Sequence, residues 1–81
     1  MVTVTLYTKP GCSLCETVEK TIRFVRQKRA FNFEECNIED DTIIYDQYKH
    51  DIPVIAVNGK EIARHQLTAA ALEIALDEAS Y

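Results

Sequence analysis

Two thiols three residues apart, Cys12 and Cys15, stand in the segment Lys9-Pro10-Gly11-Cys12-Ser13-Leu14-Cys15. That spacing supports two chemistries: a dithiol that exchanges with other disulfides, or half of a zinc or iron–sulfur site. Exchange needs an ionised sulfur, and a free thiol of pKa about 8.5 is only a few per cent thiolate at neutral pH. Where a helix begins, unpaired backbone N–H groups and the helix dipole favour the anion and can lower a thiol pKa to about 3.5–7.5. Lys9 adds a cation close in sequence. Cys15, about one turn deeper on the same side of the helix, is placed to attack a mixed disulfide formed at Cys12. A metal site needs two further ligands. The remaining soft donors, Cys36, His50 and His65, supply no second pair at ligand spacing.

A strand must therefore end, and a helix start, around Cys12. Val2, Val4 and Leu6 alternate with Thr3, Thr5 and Tyr7, which predicts a strand over the first eight residues, broken by Lys9-Pro10-Gly11. From Ser13 to near Lys28, Leu14, Val18, Ile22 and Val25 recur at helical spacing, and Cys15, Val18, Ile22 and Val25 form one stripe. Glu16 with Lys20 and Glu19 with Arg23 are acid-before-base pairs four residues apart. Phe31 to Ile38 reads as a second strand. Asp40 or Asp41 then caps a short helix carrying Ile43, Ile44, Tyr45 and Tyr48. Pro53 opens the apolar strand Val54 to Val57, and Asn58-Gly59 turns it back as an antiparallel edge strand, Lys60 to Ala63. Leu72, Ala75, Leu76 and Ala79 share one face of a terminal helix that Thr68 caps and Leu67 staples.

The order is β-α-β-α-β-β-α. A right-handed crossover pairs the first two strands in parallel, and the hairpin makes the last two antiparallel. The reading is an α/β fold with a mixed four-stranded sheet flanked by helices, the 81 residues forming a single domain.

Composition narrows the function. A net charge of −4 argues against nucleic acid as the main partner, where a basic footprint is expected. Five of the nine basic residues lie between Lys20 and Arg29, where the end of a helix favours cations. Neither a signal peptide nor an 18-residue apolar run is legible, so no membrane role is expected. Three cysteines are too few for a secreted disulfide framework, and a reducing cytosol is the expected compartment. Cys36 reads as a small buried apolar residue, His50 and His65 as solvated loop histidines, and Tyr45 and Tyr48 as core or rim packing.

Lys9-Pro10-Gly11-Cys12-x-x-Cys15 after a first strand, Ile52-Pro53-Val54 before a third, and Asn58-Gly59-Lys60-x-Ile62 in the hairpin resemble the glutaredoxin family of the thioredoxin superfamily. The match runs through essentially the whole chain in order. An X-Pro bond is cis in only about 5–6% of folded cases, whereas the resemblance implies a cis Pro53 facing the active-site disulfide. It further implies that the backbone of Ile52 hydrogen-bonds substrate much as an added strand would. Arg64 would line the substrate groove, with a peptide or thiol carboxylate as its partner. Ser13-Leu14 stands where the family usually has Pro-Tyr, and Asp51-Ile52 where it has Thr-Val. Of the family's glutathione-site pattern, Lys9, the two cysteines and Pro53 remain. The resemblance implies a monomeric dithiol-disulfide oxidoreductase with Cys12 and Cys15 catalytic, Lys9, Ile52, Pro53 and Arg64 at the substrate, and Gly11 and Pro53 shaping the site. It acts on disulfide-containing proteins or peptides and is returned by a thiol reductant or reductase. No resident cofactor or metal is expected, glutathione being the reductant the family would suggest. A metal or iron–sulfur carrier using the same cysteines is the alternative, and a binding module without turnover a third reading.

Overall fold

The computed structural model describes residues 1–80. The opening alternation forms strand β1, Thr3–Thr8, whose Val4 and Leu6 are fully buried while Thr3, Thr5 and Tyr7 occupy the other face. At the break, Gly11 has φ +78°, and a Cβ there would meet nothing within 4 Å. Glycine is needed for backbone conformation, not for space. Helix α1, Ser13–Arg26, buries the stripe Cys15, Val18, Ile22 and Val25. It stops short of Lys28, its last carbonyls being taken up by the N–H groups of Gln27, Lys28 and Arg29. Leu14, at the edge of the stripe in the first turn, is 56% exposed. Of the two expected ion pairs, Glu19 and Arg23 meet at 2.8 Å, and Arg23 reaches on to Glu35 at 3.2 Å. Glu16 and Lys20 form no pair among the described residues.

Strand β2, Asn32–Asn37, is shorter than expected because the buried Ile38 begins a single 3-10 turn, Ile38–Asp40, with the Asn37 side chain accepting the Glu39 N–H at 2.9 Å. Asp41 is the cap of helix α2, Thr42–Tyr48, accepting from the N–H groups of Ile43 and Ile44 at 2.9 and 3.2 Å. Strand β3, Val54–Val57, is buried at all four positions, as a central strand covered on both faces must be. Asn58 and Gly59, at φ +50° and +83°, make the hairpin into strand β4, Lys60–Arg64. The Asn58 carboxamide also accepts the Thr3 N–H at 2.9 Å, tying the hairpin to the start of β1. Helix α3, Ala69–Ala79, is capped by Thr68, which accepts the Ala71 N–H at 3.1 Å, with Leu67 and Leu72 both in the core.

The sheet order is β2-β1-β3-β4, with β1 parallel to β2 and antiparallel to β3, and β3 antiparallel to β4. Val4, Leu6, Ile55 and Val57 pack with Val18, Ile22, Val25, Leu72 and Leu76, so α1 and α3 cover one face and hold the core. On the opposite face α2 sets Tyr48 against Tyr7, ring centroids 4.8 Å apart, and buries no residue fully. The β3–β4 ladder slips between Ile55 and Ala56, so that Val54 pairs with Arg64 and Ala56 with Glu61. This bulge brings Arg64 and Glu61, three apart and opposed in a regular strand, onto one face.

Candidate active site

The site sits where β1 ends, α1 begins and β3 starts. Cys12 and Cys15 are joined in a disulfide with a Cα–Cα separation of 5.2 Å. Cys12 is the N-cap of α1 with extended backbone: its Sγ accepts the Cys15 N–H at 3.2 Å, and its carbonyl accepts the Glu16 N–H at 3.2 Å. A sulfur thus takes the place usually held by a capping oxygen, at the terminus where the dipole favours negative charge. Cys12 is half-buried and Cys15 only 2% exposed. One sulfur can be reached from outside while the other lies behind it.

Lys9, Gly11, Cys12 and Cys15 line an open cleft of about 310 Å³ on the β2 side, together with Glu16 and Glu35. Sequence reasoning passed over those two carboxylates. Register would have found Glu35, since it pairs with Leu6 and so shares its face, beyond the end of the core. Across β1, Ile52 and Pro53 lead into β3 through a cis peptide bond, the isomer that the resemblance implies. Pro53 is buried, and its carbonyl accepts the His65 N–H at 2.7 Å. His65, at φ +71°, has its Nε2 3.8 Å from the Asp51 carboxylate, while His50 lies exposed in the loop.

Arg64 stands on this side as well, but its guanidinium is taken up by its own chain. Nη1 contacts Asp51 at 2.9 Å, Nη2 donates to Glu61 at 3.0 Å, and Nε donates to the second Glu61 oxygen. The Arg64 hydrogen bond holds the Glu61 carboxyl below its ordinary pKa, and Glu61, followed by Asp51, raises that of Arg64. Cys36 stays apart from the pair as a free thiol on the α2 face, half-buried and not fully buried as expected, because it lies near the end of an edge strand. Among the described residues no three His, Cys, Asp or Glu side chains gather in a way that could hold a metal, and no helix is long and apolar enough to cross a membrane.

The sheet order, the helices on both faces and a Cys-x-x-Cys pair at the first strand–helix junction define a thioredoxin fold. Mitochondrial thioredoxin 3 of Saccharomyces cerevisiae in its oxidized form superposes with a TM-score of 0.66 at 17% identity, over 95% of this chain and 77% of that one. Residues 3–77 match the glutaredoxin-like domain family (DUF836), and the chain belongs to it. It is 29% identical over 72 residues to the glutaredoxin-like protein YDR286C homolog of Dictyostelium discoideum, spanning 82% of this chain and 67% of that protein. The structural genomics target XcR50 of X. campestris is 28% identical, with a TM-score of 0.77 over 93% and 96% of the two chains.

Proposed function

We propose that this chain is a thiol-disulfide oxidoreductase acting on disulfide-containing proteins or peptides. Cys12 attacks as thiolate, Cys15 resolves, and a thiol reductant or reductase returns the pair to the dithiol. The observation that carries this reading is the sulfur cap: Cys12 is reachable, sits at the N-terminus of α1 and accepts the Cys15 N–H, while Cys15 is buried behind it. In the reduced protein that N–H and the helix end favour a thiolate at Cys12, with Lys9 in the same cleft.

Exchange runs in two balanced steps. The Cys12 thiolate bonds to one sulfur of the substrate disulfide, and the other sulfur leaves as thiolate. Cys15, having given its proton to solvent, then attacks Cys12 Sγ, closing Cys12–Cys15 and expelling the second substrate thiolate. Two electrons pass from the dithiol to the substrate. Pro53 and the backbone of Ile52 form the groove wall on which an extended peptide lies.

Trapping tests the division of labour. Reduced Cys15→Ser, mixed with a disulfide-linked peptide, is expected to accumulate an adduct on Cys12 visible by mass spectrometry, whereas Cys12→Ser accumulates none on Cys15. Absence of the Cys12 adduct, or equal adducts in both variants, would remove the proposal.

A further inference from the structure

Charge is laid out unevenly around the disulfide. On the β3–β4 side the one guanidinium, Arg64, answers to two carboxylates, Asp51 and Glu61, and each of its three nitrogens is engaged. On the β2 side, Lys9, Lys20 and Arg23 stand against Glu16, Glu19 and Glu35, Arg23 being shared by the last two. The excess of carboxylate over cation therefore lies on the β3–β4 flank. Glu39 and Asp40 follow in the turn after β2. Arg64, which the resemblance would set against a substrate carboxylate, is already neutralised, and an arriving anion would have to displace Asp51 or Glu61 from it.

We infer that this redox site selects its disulfide by charge, taking disulfides flanked by cationic groups, as in a basic peptide segment, and disfavouring anionic low-molecular-weight disulfides. The inference rests on the oxidoreductase reading and adds the substrate class to it. Asp51 and Glu61 act as positioning residues that hold Arg64 away from substrate; Arg64 acts as a specificity determinant by being occupied. The bulge in β4 makes this possible, since it alone puts Glu61 beside Arg64.

The test is single-turnover oxidation of the reduced, reductant-free protein by three symmetric disulfides: cationic cystamine, neutral hydroxyethyl disulfide and anionic dithiodiglycolate. In each, the protein dithiol and one disulfide give the Cys12–Cys15 disulfide and two thiols, so no further reagent enters. Rates are read by quenching with iodoacetamide and mass spectrometry. Each is divided by the rate of 2-mercaptoethanol thiolate with the same disulfide, which removes intrinsic reactivity. At about 10 mM salt, where screening is weak over the width of the molecule, the normalised cystamine-to-dithiodiglycolate ratio is expected near tenfold, falling toward unity at about 1 M. Asp51→Asn lowers the ratio by freeing Arg64, and Arg64→Gln raises it by freeing two carboxylates. A merely structural disturbance would move both variants the same way. Glu78→Gln, which removes the same charge beside the Asn58 hairpin at the opposite end of the sheet, changes the ratio less than Asp51→Asn does. A wild-type ratio of one or below, or variants that shift it in the same direction, overturns charge selection while leaving the redox reading in place. No reaction with hydroxyethyl disulfide overturns both.

Discussion

Tyr7 and Cys36 are partners across the parallel β1–β2 ladder, and each is harder to ionise than its type ordinarily is. Burial pushes the Cys36 thiol up first, and Asp40 and Asp41 add repulsion between like charges. For Tyr7 the order is burial, then Tyr48, Cys36 and Glu34. A raised thiol pKa means less thiolate at any given pH, hence slower alkylation on the way up. In a Cys12→Ser, Cys15→Ser protein, Cys36 is expected to react with iodoacetamide with a midpoint above that of a free cysteine, about 8.5. Asp40→Asn is expected to bring it part of the way back, with Asp41 left in place to cap α2. A midpoint at or below the free value would contradict both causes, and a raised midpoint that Asp40→Asn leaves unchanged would mean that Asp40 does not act on this sulfur. The contrast with Cys12 is local: one sulfur accepts the Cys15 N–H at a helix end, the other meets carboxylates.

The elements differ in how firmly they are held. Helices α1 and α3 each press a buried stripe onto β1 and β3, whereas α2 is seven residues long and buries none of them fully. A segment with little buried apolar contact opens locally at small free-energy cost. Native-state hydrogen exchange is expected to show the α2 amides exchanging first and those of β1, β3 and the middle of α1 last; equal protection would show that the Tyr7–Tyr48 contact anchors α2 more than its burial suggests. The sequence made the strongly patterned elements readable because burial on one face imposes a period: Val4 and Leu6 for β1, the stripe from Cys15 to Val25 for α1. It also made the hairpin readable, since Asn58 and Gly59 suit the positive φ that the turn needs. Strand β2 read less clearly because, as an edge, it leaves Glu34 and Glu35 exposed and carries little alternation. The geometry of the candidate site was legible where it is local: the Cys12–Cys15 pairing at the start of α1 and the positive φ of Gly11. It was not legible where it depends on register: no residue pattern announces the β4 bulge, so the seizure of Arg64 by Glu61 and Asp51 had no signal in the chain.

At the scale of the whole molecule, a small core makes the redox state matter to stability. A chain of 81 residues is stable by roughly 4–12 kcal/mol. Closing the short Cys12–Cys15 loop removes chain entropy worth about 2 kcal/mol from the unfolded state. The reduced protein recovers part of this if the fold stabilises one thiolate. The sign follows from linkage: a thiol whose folded pKa lies below its unfolded value contributes stability that is complete above the unfolded value and lost as pH falls through the folded one. The reactivity of the pair thus turns on how three thiols in one fold divide their ionisation. The direct measurement is thiolate absorbance of the fully reduced protein against pH. One thiol is expected to ionise well below about 8.5 and to vanish in Cys12→Ser but persist in Cys36→Ser, while the other two ionise at or above that value. Three thiols all titrating at or above about 8.5, or a low titration that survives Cys12→Ser, would contradict the assignment of Cys12 as the attacking sulfur.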